Sequence, residues 1–215
     1  MTDKIRSMTT IRIQSVEEPF NTPTTVRSAV SFLARAQTMG FLGEDDIDHL
    51  DMAAVRDVID AMARAGLASG PGAVLHAPDD EISGSEIAAV LGELEDILES
   101  SPAPDREWPT LTDLFGVETL ALLLDVSSAS VRRYLRGDRT TPDRVAARLH
   151  FLAMVVSDLA GAYNDFGIRR WFVRSRGVLD GVAPQAFLAG DWDPDDPGPR
   201  RVRALARALL GSPAT

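Results

Sequence analysis

The segment at residues 119–137 constrains the fold more than any other part of this 215-residue chain. Its residues fit two short helices joined by a tight turn: Ala121 is small where the helices would touch, and Val126 is apolar where the turn needs a plug. The hydroxyl of Ser127 can cap the second helix. Asp125 is a departure, because this turn position often holds glycine for its left-handed backbone, although aspartate tolerates that conformation better than most residues. The segment therefore predicts two helices that cross at a steep angle.

This segment resembles the helix-turn-helix of the phage-repressor (Xre-like) kind, in which the second helix enters the major groove of DNA. Val131 and Leu135 lie four residues apart, so both are expected to face the core, with Tyr134 half-buried beside them. Arginine binds guanine edges and phosphates equally well. The candidate DNA-binding residues are Ser128, Ala129 and either Arg132 or Arg133 near the bases, and Arg136, Arg139 and Arg144 on phosphates. The alternative is a three-helix unit that does not bind DNA, because arginines on a helix often form only a solvated face.

Charge is distributed unevenly along the chain. The formal net charge is −10, which taken alone argues against nucleic-acid binding because phosphate contacts need lysine or arginine. Residues 41–105 carry sixteen acidic residues and two arginines, whereas residues 130–150 carry six arginines and two aspartates. Such asymmetry between parts of a chain indicates the kind of binding partner better than the net charge of the whole chain does. It places the candidate nucleic-acid surface around the second helix of the motif.

Helical spacing of apolar residues runs through most of the chain and predicts an all-α fold. Residues 9–16 alternate in polarity and predict one short strand, and no strand is expected after residue 20. Ser83 and Glu86 match a capping box at the start of the third helix. The other helices are predicted at residues 24–39, 46–65, 111–115, 117–124, 129–136, 142–163, 165–173, 184–189 and 202–210, with an acidic loop at 191–199.

The proline-rich and polar residues 100–109 indicate a domain boundary. The predicted organisation is a loosely ordered N-terminus, an acidic helical domain, a helix-turn-helix domain and a small helical C-terminal unit, at residues 1–22, 23–105, 106–163 and 164–215. Two separate domains of this size fit the chain length.

The C-terminal residues resemble a second known unit. Residues 169–172 (RRWF), 177–181 (GVLDG), 184–190 (PQAFLAG) and 202–209 are similar to the toxin-binding domain of the Xre/MbcA/ParS antitoxin family, whose members join it to a helix-turn-helix. The resemblance spans about residues 110–210 and implies an antitoxin that represses its own operon. It also implies that the chain neutralises a RES-domain toxin, an enzyme that consumes NAD. The residues it implies for partner binding are Arg170, Trp171, Leu179, Pro184, Phe187 and Leu188.

Two other interpretations stay open, because the first hundred residues and the acidic loop at 191–199 lie outside the family pattern. One is a stand-alone helix-turn-helix regulator whose N-terminal domain dimerises or senses a signal. The other is a non-enzymatic interaction protein that acts through its acidic N-terminal half. Trp171 and Phe172, at the end of a predicted helix, are also typical of a core. A homodimer is expected, because repressors of this kind bind paired half-sites.

Neither an enzyme nor a cofactor is predicted. The three histidines, His49, His76 and His150, lie at no ligand spacing from one another, and the chain has no cysteine. The acidic residues 44–48 lack the spaced ligands and central glycine of a calcium loop, so no metal is expected. Phosphate loops and nucleotide fingerprints are absent. Without an apolar bilayer span or an apolar signal core, a cytoplasmic location and no membrane partner are expected.

Overall fold

The computed structural model describes residues 11–42, 47–67, 70–76 and 82–209. These residues are mostly helical and include one small two-stranded sheet. They divide into two compact units between Ser101 and Pro102, and these are named here the N-terminal unit and the C-terminal unit. The mainly helical class predicted from the periodicity is confirmed, and the small sheet is an addition to the predicted all-α fold.

The N-terminal unit is built on two long helices that pack against each other. Phe32 and Leu33 of the first helix, and Leu91 and Leu94 of the last, are fully buried between them. Arg35 also joins the two helices, with its Nη1 atom 2.6 Å from Oε2 of Glu99. The elements of this unit are β1 (Ile11–Val16), α1 (Pro23–Thr38), β2 (Ile47–Leu50), α2 (Met52–Arg64), a 3₁₀ helix (Pro71–His76) and α3 (Gly84–Ser100).

The capping chemistry at two helix starts follows from local sequence. At α3 the predicted capping box is present: the Ser83 hydroxyl accepts from the Glu86 amide, and the Glu86 carboxylate accepts from the Ser83 amide. Thr22 and Thr25 form the same reciprocal arrangement at α1, where Pro23 occupies the first turn. These short-range interactions fix where both helices begin.

The helix predicted at residues 46–65 is wrong over its first part. Residues Ile47–Leu50 form β2, which pairs in parallel with β1 so that Val16 lies opposite Leu50. Asp51 then caps α2, because its carboxylate accepts a 2.8 Å hydrogen bond from the Ala54 amide while its own backbone stays extended. The expectation of no strand after residue 20 fails for the same reason. Of the predicted strand at 9–16, the first two residues lie outside the described residues.

The C-terminal unit surrounds one apolar helix, α7, whose residues from Arg148 to Leu159 are all buried. Helices α4, α5, α8 and α9 all pack against it. Because α7 is buried on every side over this span, it needs neighbours all round. The elements are α4 (Pro104–Phe115), α5 (Val117–Leu124), α6 (Ser128–Leu135), α7 (Asp143–Ala160), α8 (Asp165–Val173), 3₁₀ helices at Gly177–Leu179 and Pro184–Leu188, and α9 (Pro197–Arg207).

Two helices of this unit begin earlier than the sequence patterns predict. Residues 104–109 were expected in an irregular boundary but form the first half of α4, with Pro104 at its first position and Pro109 inside it. Likewise α9 begins at Pro197, within the predicted acidic loop. In both cases the fixed φ of a proline suits the first turn of a helix, where no amide is needed.

No single helix in the described ranges is both long and apolar enough to cross a bilayer. Helices α7 and α8 satisfy the length and hydropathy requirement only when taken together, and they are bent by 118° relative to each other.

Candidate nucleic-acid interface

The turn between α5 and α6 has the backbone that the sequence predicts. Asp125 adopts the left-handed conformation, with φ 54° and ψ 49°, and ends α5. The next amide, that of Val126, donates to the Ala121 carbonyl at 3.0 Å. Ser127 returns to an extended backbone, and its Oγ accepts from the Ser130 amide at 3.1 Å. Through these interactions α5 ends and α6 begins within three residues.

The buried side of α6 differs from the prediction at one position. Val131 is fully buried as expected, but Leu135 is 36% exposed and Tyr134 is the second core residue. Tyr134 stacks on Trp108 of α4, with ring centroids 5.2 Å apart. Tyr134, and not Leu135, is therefore the second core contact of α6, through this stacked pair. The indole of Trp108 in turn donates to Thr141 Oγ1 at 2.9 Å.

The predicted DNA-binding residues all reach the surface of the C-terminal unit. Ser128 is half-buried at the first turn of α6, and the other six are exposed: Ala129, Arg132, Arg133, Arg136, Arg139 and Arg144. The first five of the seven occupy α6 and its C-terminal cap, and the last two lie before and at the start of α7. The structure therefore brings the cationic side chains together on one stretch of chain that begins at a capped helix.

Several of these arginines already contact acidic or aromatic side chains. Arg132 Nη2 lies 2.8 Å from Glu118 Oε1, and Arg136 Nε lies 2.7 Å from Asp138 Oδ2. The Arg139 guanidinium lies 5.7 Å from the centre of the Tyr134 ring. Exposed ion pairs of this kind contribute about 0–1 kcal/mol, so phosphates can displace the carboxylates at small cost. Arg133 has no ion pair with any residue that the structure describes.

Arg148 supports the candidate site, and the sequence did not distinguish it from its neighbours. It counted among the basic residues of 130–150, yet its side chain is 3% exposed. Its Nε donates to the Trp192 carbonyl at 2.6 Å and its Nη1 to the Leu124 carbonyl at 3.1 Å. Burial, followed by the nearby charge of Arg144, lowers the pKa of Arg148. A buried arginine at this point fixes the end of α5.

Asp191 and Trp192 complete a structural clamp on the helix-turn-helix. Asp191 Oδ1 accepts from Arg148 Nη2 at 3.0 Å and also forms an ion pair with Arg144. The Trp192 indole donates to the Leu123 carbonyl at 2.9 Å. The last two carbonyls of α5 are thereby satisfied by residues that lie more than twenty positions further along the chain. The acidic segment after residue 190 thus helps to hold the end of α5 in the helix-turn-helix.

The residues implied for partner binding are mostly buried, which corrects that part of the prediction. Trp171, Leu179, Pro184 and Leu188 form part of the C-terminal core, with Trp171 1% exposed. These side chains fill space between helices, as the core interpretation of Trp171 and Phe172 required, so their atoms are not accessible to a partner. Of the six, Arg170 is exposed and Phe187 is half-exposed.

Phe187 has a packing role as well. A Cβ atom at Gly198 would lie 2.8 Å from Phe187 Cδ1, so the ring lies directly on the glycine at the start of α9. The Arg201 guanidinium lies 5.7 Å from the centre of the same ring. Phe187 therefore attaches the 3₁₀ helix Pro184–Leu188 to α9 and leaves only part of its ring at the surface.

Each histidine has a local partner. His150 Nδ1 lies 2.6 Å from Oε1 of the buried Glu107, and His49 Nδ1 lies 2.5 Å from Ser15 Oγ. His76 Nε2 lies 3.3 Å from Asp60 Oδ1. Within the described ranges, no three acidic or histidine side chains converge in a way that would hold a metal ion. The acidic residues 44–46 lie outside those ranges.

Comparison of the chain with protein-family models, curated proteins and solved structures finds no match. A functional assignment therefore depends on the geometry of the helix-turn-helix and on the residues around it.

Proposed function

We propose that this chain is a DNA-binding, antitoxin-like repressor without enzymatic activity, which acts in the cytoplasm on its own operon. The observation that carries the proposal is the capped α5–turn–α6 unit with arginines on its outward face. A left-handed Asp125 and a capping Ser127 produce the tight turn that major-groove recognition requires. Arg132 and Arg133 then project from the second helix, where arginine can bind guanine edges or phosphates.

The test is DNA binding by the full chain, measured by fluorescence anisotropy on a duplex from the region upstream of its own coding sequence. Arg132→Ala combined with Arg133→Ala is expected to weaken specific binding by about tenfold to a hundredfold. Each lost phosphate contact should also reduce the slope of log K against log salt by about 0.9. Arg27→Ala combined with Arg64→Ala is the matched control, because it removes the same charge from exposed positions of the N-terminal unit.

The DNA-binding proposal is wrong if the wild-type chain shows no preference for its upstream duplex over a scrambled duplex of equal length. The assignment of the groove-facing residues is wrong if the two double variants have the same affinity and the same salt dependence.

The second half of the proposal is neutralisation of a toxin, through the C-terminal unit and by resemblance a RES-domain enzyme that consumes NAD. It is supported by the chain segments from residue 169 to residue 209, which form one compact structure with the helix-turn-helix. Co-expression with the product of the adjacent gene tests it. Co-purification and a lower rate of NAD loss would support neutralisation, and a neighbour that neither binds nor consumes NAD would contradict it.

A stand-alone transcription regulator is the second candidate. The observation in its favour is that residues 11–101 form a compact unit with its own buried core, as a sensing or dimerisation domain would. DNA binding without any toxin partner, together with DNA affinity that changes when the N-terminal unit is deleted, would favour this regulator over the antitoxin.

A further inference from the structure

Six large apolar side chains among the described residues of the C-terminal unit are exposed, and four of them are more than half exposed. Leu122 is 74% exposed, Val178 72%, Phe166 63% and Val173 55%. Single exposed apolar residues are ordinary on protein surfaces, but three of these four belong to two well-defined features. Leu122 lines a groove, and Phe166 and Val173 share one face of a short helix.

The groove lies between α5 and the 3₁₀ helix Pro184–Leu188 and encloses about 590 Å³. Leu122 and Leu123 line one side of it, and Ala186 and Leu188 line the other. Its charged lining residues are Glu118 and Asp125, so the groove is apolar with a negative edge, and it borders the candidate DNA contact Ser128 at the start of α6. Glu118 is paired with Arg132, but that pair is exposed and contributes little, so its carboxylate can accept another cation.

The helix face is the outward side of α8. Phe166, Arg170 and Val173 follow one another at steps of four and three residues and are exposed, and the exposed Arg174 is the extended residue that ends the helix. Residues at such spacings lie on one side of a helix. The opposite side, which includes Trp171, is buried in the core. The outward face of α8 is therefore apolar with a positive edge, which complements the groove in both respects.

We propose that the groove receives α8 of a second copy of this chain. Phe166 and Val173 of one copy would pack against Leu122 and the apolar groove wall of the other. Arg170 of α8 and Arg174 at its end would meet Glu118 and Asp125. A second copy is the occupant that the observations favour, because the apolar ridge and the groove of opposite charge are both carried by the same unit. In the proposed dimer the two copies are related by a two-fold axis, so that each supplies the groove for one contact and α8 for the other.

The first test is the association state of the full chain, measured by sedimentation velocity over a concentration series without DNA. The wild type is expected to dimerise. Phe166→Ser and Leu122→Ser should each raise the dimer dissociation constant at least tenfold. Val178→Ser is the matched control, because it removes an equally exposed valine outside both surfaces and should leave the constant unchanged. Circular dichroism of each variant establishes that the fold is retained.

Charge exchange gives a sharper test of the pairing. Glu118→Lys, and separately Arg170→Glu combined with Arg174→Glu, should each weaken the dimer through like charges across the interface. An equimolar mixture of the two variants restores opposite charges at one of the two contacts and leaves the original charges at the other. The mixture should therefore associate more tightly than either variant alone.

The proposal is overturned if the wild-type chain is a monomer at all concentrations tested. It is also overturned if the dimer is insensitive to Phe166→Ser and Leu122→Ser, or if the mixture associates no better than its components. None of these measurements involves DNA, so their failure leaves the DNA-binding proposal intact. Equally, a chain without DNA affinity can still show this dimer.

Discussion

Asp191 connects two arginines that have different surroundings. Arg148 is buried and supports α5, whereas the side chain of Arg144 is 57% exposed and is one of the predicted phosphate contacts. The carboxylate of Asp191 thus occupies the place beside Arg144 that a DNA phosphate would take. Binding of DNA through Arg144 requires that this carboxylate be displaced or shared.

Asp191→Asn is therefore expected to raise DNA affinity. Asparagine keeps an oxygen that can accept from Arg148 but has no charge, so the ion pair with Arg144 is lost. Because an exposed ion pair contributes up to about 1 kcal/mol, affinity should rise by up to about fivefold. The slope of log K against log salt should become steeper by about 0.9, as expected for one added phosphate contact. Fluorescence anisotropy at four salt concentrations measures both quantities.

The control for this change is Asp195→Asn, which removes an equally exposed carboxylate that pairs with Arg200 instead. Its affinity and salt slope should match those of the wild type. If both variants gain affinity to the same extent, the effect comes from total charge and the specific role of Asp191 is refuted.

Arg148 allows a stability prediction of larger size. Arg148→Met keeps most of the side-chain volume but leaves the carbonyls of Leu124 and Trp192 without their donor. Each buried carbonyl left without a donor costs about 1–3 kcal/mol, so the free energy of unfolding of the C-terminal unit should fall by about 2–5 kcal/mol. Urea unfolding monitored by tryptophan fluorescence measures it, because Trp108, Trp171 and Trp192 are the three tryptophans of the chain and all lie in this unit.

Arg139→Met serves as the reference for that experiment. Arg139 is exposed and contacts only the face of Tyr134 among the interactions described, so its replacement should change the free energy of unfolding by less than about 0.5 kcal/mol. Equal losses for the two variants would show that the hydrogen bonds of Arg148 do not stabilise the unit.

At the scale of elements, the start of α6 depends on one hydroxyl. Ser127→Ala removes the acceptor for the Ser130 amide and should destabilise the C-terminal unit by about 1 kcal/mol. Ser127→Gly should cost only a few tenths of a kcal/mol, because glycine at a helix N-cap leaves the amide accessible to water. Urea unfolding of both variants distinguishes them. A loss for alanine no larger than for glycine would mean that the hydroxyl is not the source of the cap.

The elements that the sequence predicts well are those determined by local chemistry. The caps at Ser83 and Ser127 and the left-handed Asp125 all depend on residues within four positions of one another. The strand β2 was missed because four residues are too few for a pattern, and its pairing with β1 involves residues more than thirty positions away. Whether so short a segment forms a strand depends on its long-range pairing partner.

The candidate site shows the same division between local and distant effects. The exposure of the arginines on α6 follows from helical spacing, and the sequence predicts it correctly. The burial of Tyr134 in place of Leu135 depends on Trp108, and the burial of Arg148 depends on Trp192. Neither partner is near in sequence, so no local pattern could have distinguished Arg148 from the exposed arginines around it.

At the scale of the whole molecule, almost all of the net negative charge lies in the first half of the chain. Residues 1–101 carry eighteen acidic and seven basic residues, a net charge of −11. Residues 102–215 carry fourteen acidic and fifteen basic residues, a net charge of +1. The overall charge of −10 that argued against DNA binding therefore belongs to the part of the chain without the helix-turn-helix.

This division predicts the behaviour of a fragment of residues 102–215. The fragment contains every described residue of the C-terminal unit, so it should retain specific DNA binding and, if α8 docks as proposed, dimerise as well. Removal of eleven net negative charges should raise its affinity for scrambled DNA, because the long-range repulsion between the acidic half and phosphates is gone. The gain should be largest at low salt and vanish as salt approaches about 1 M, where charges are screened beyond about 3 Å.

Anisotropy titrations of fragment and full chain on specific and scrambled duplexes measure the ratio of the two affinities. That ratio should be smaller for the fragment, so the acidic half would act in the full chain to suppress non-specific binding. A fragment that loses specific binding would instead assign the N-terminal unit a direct part in DNA recognition.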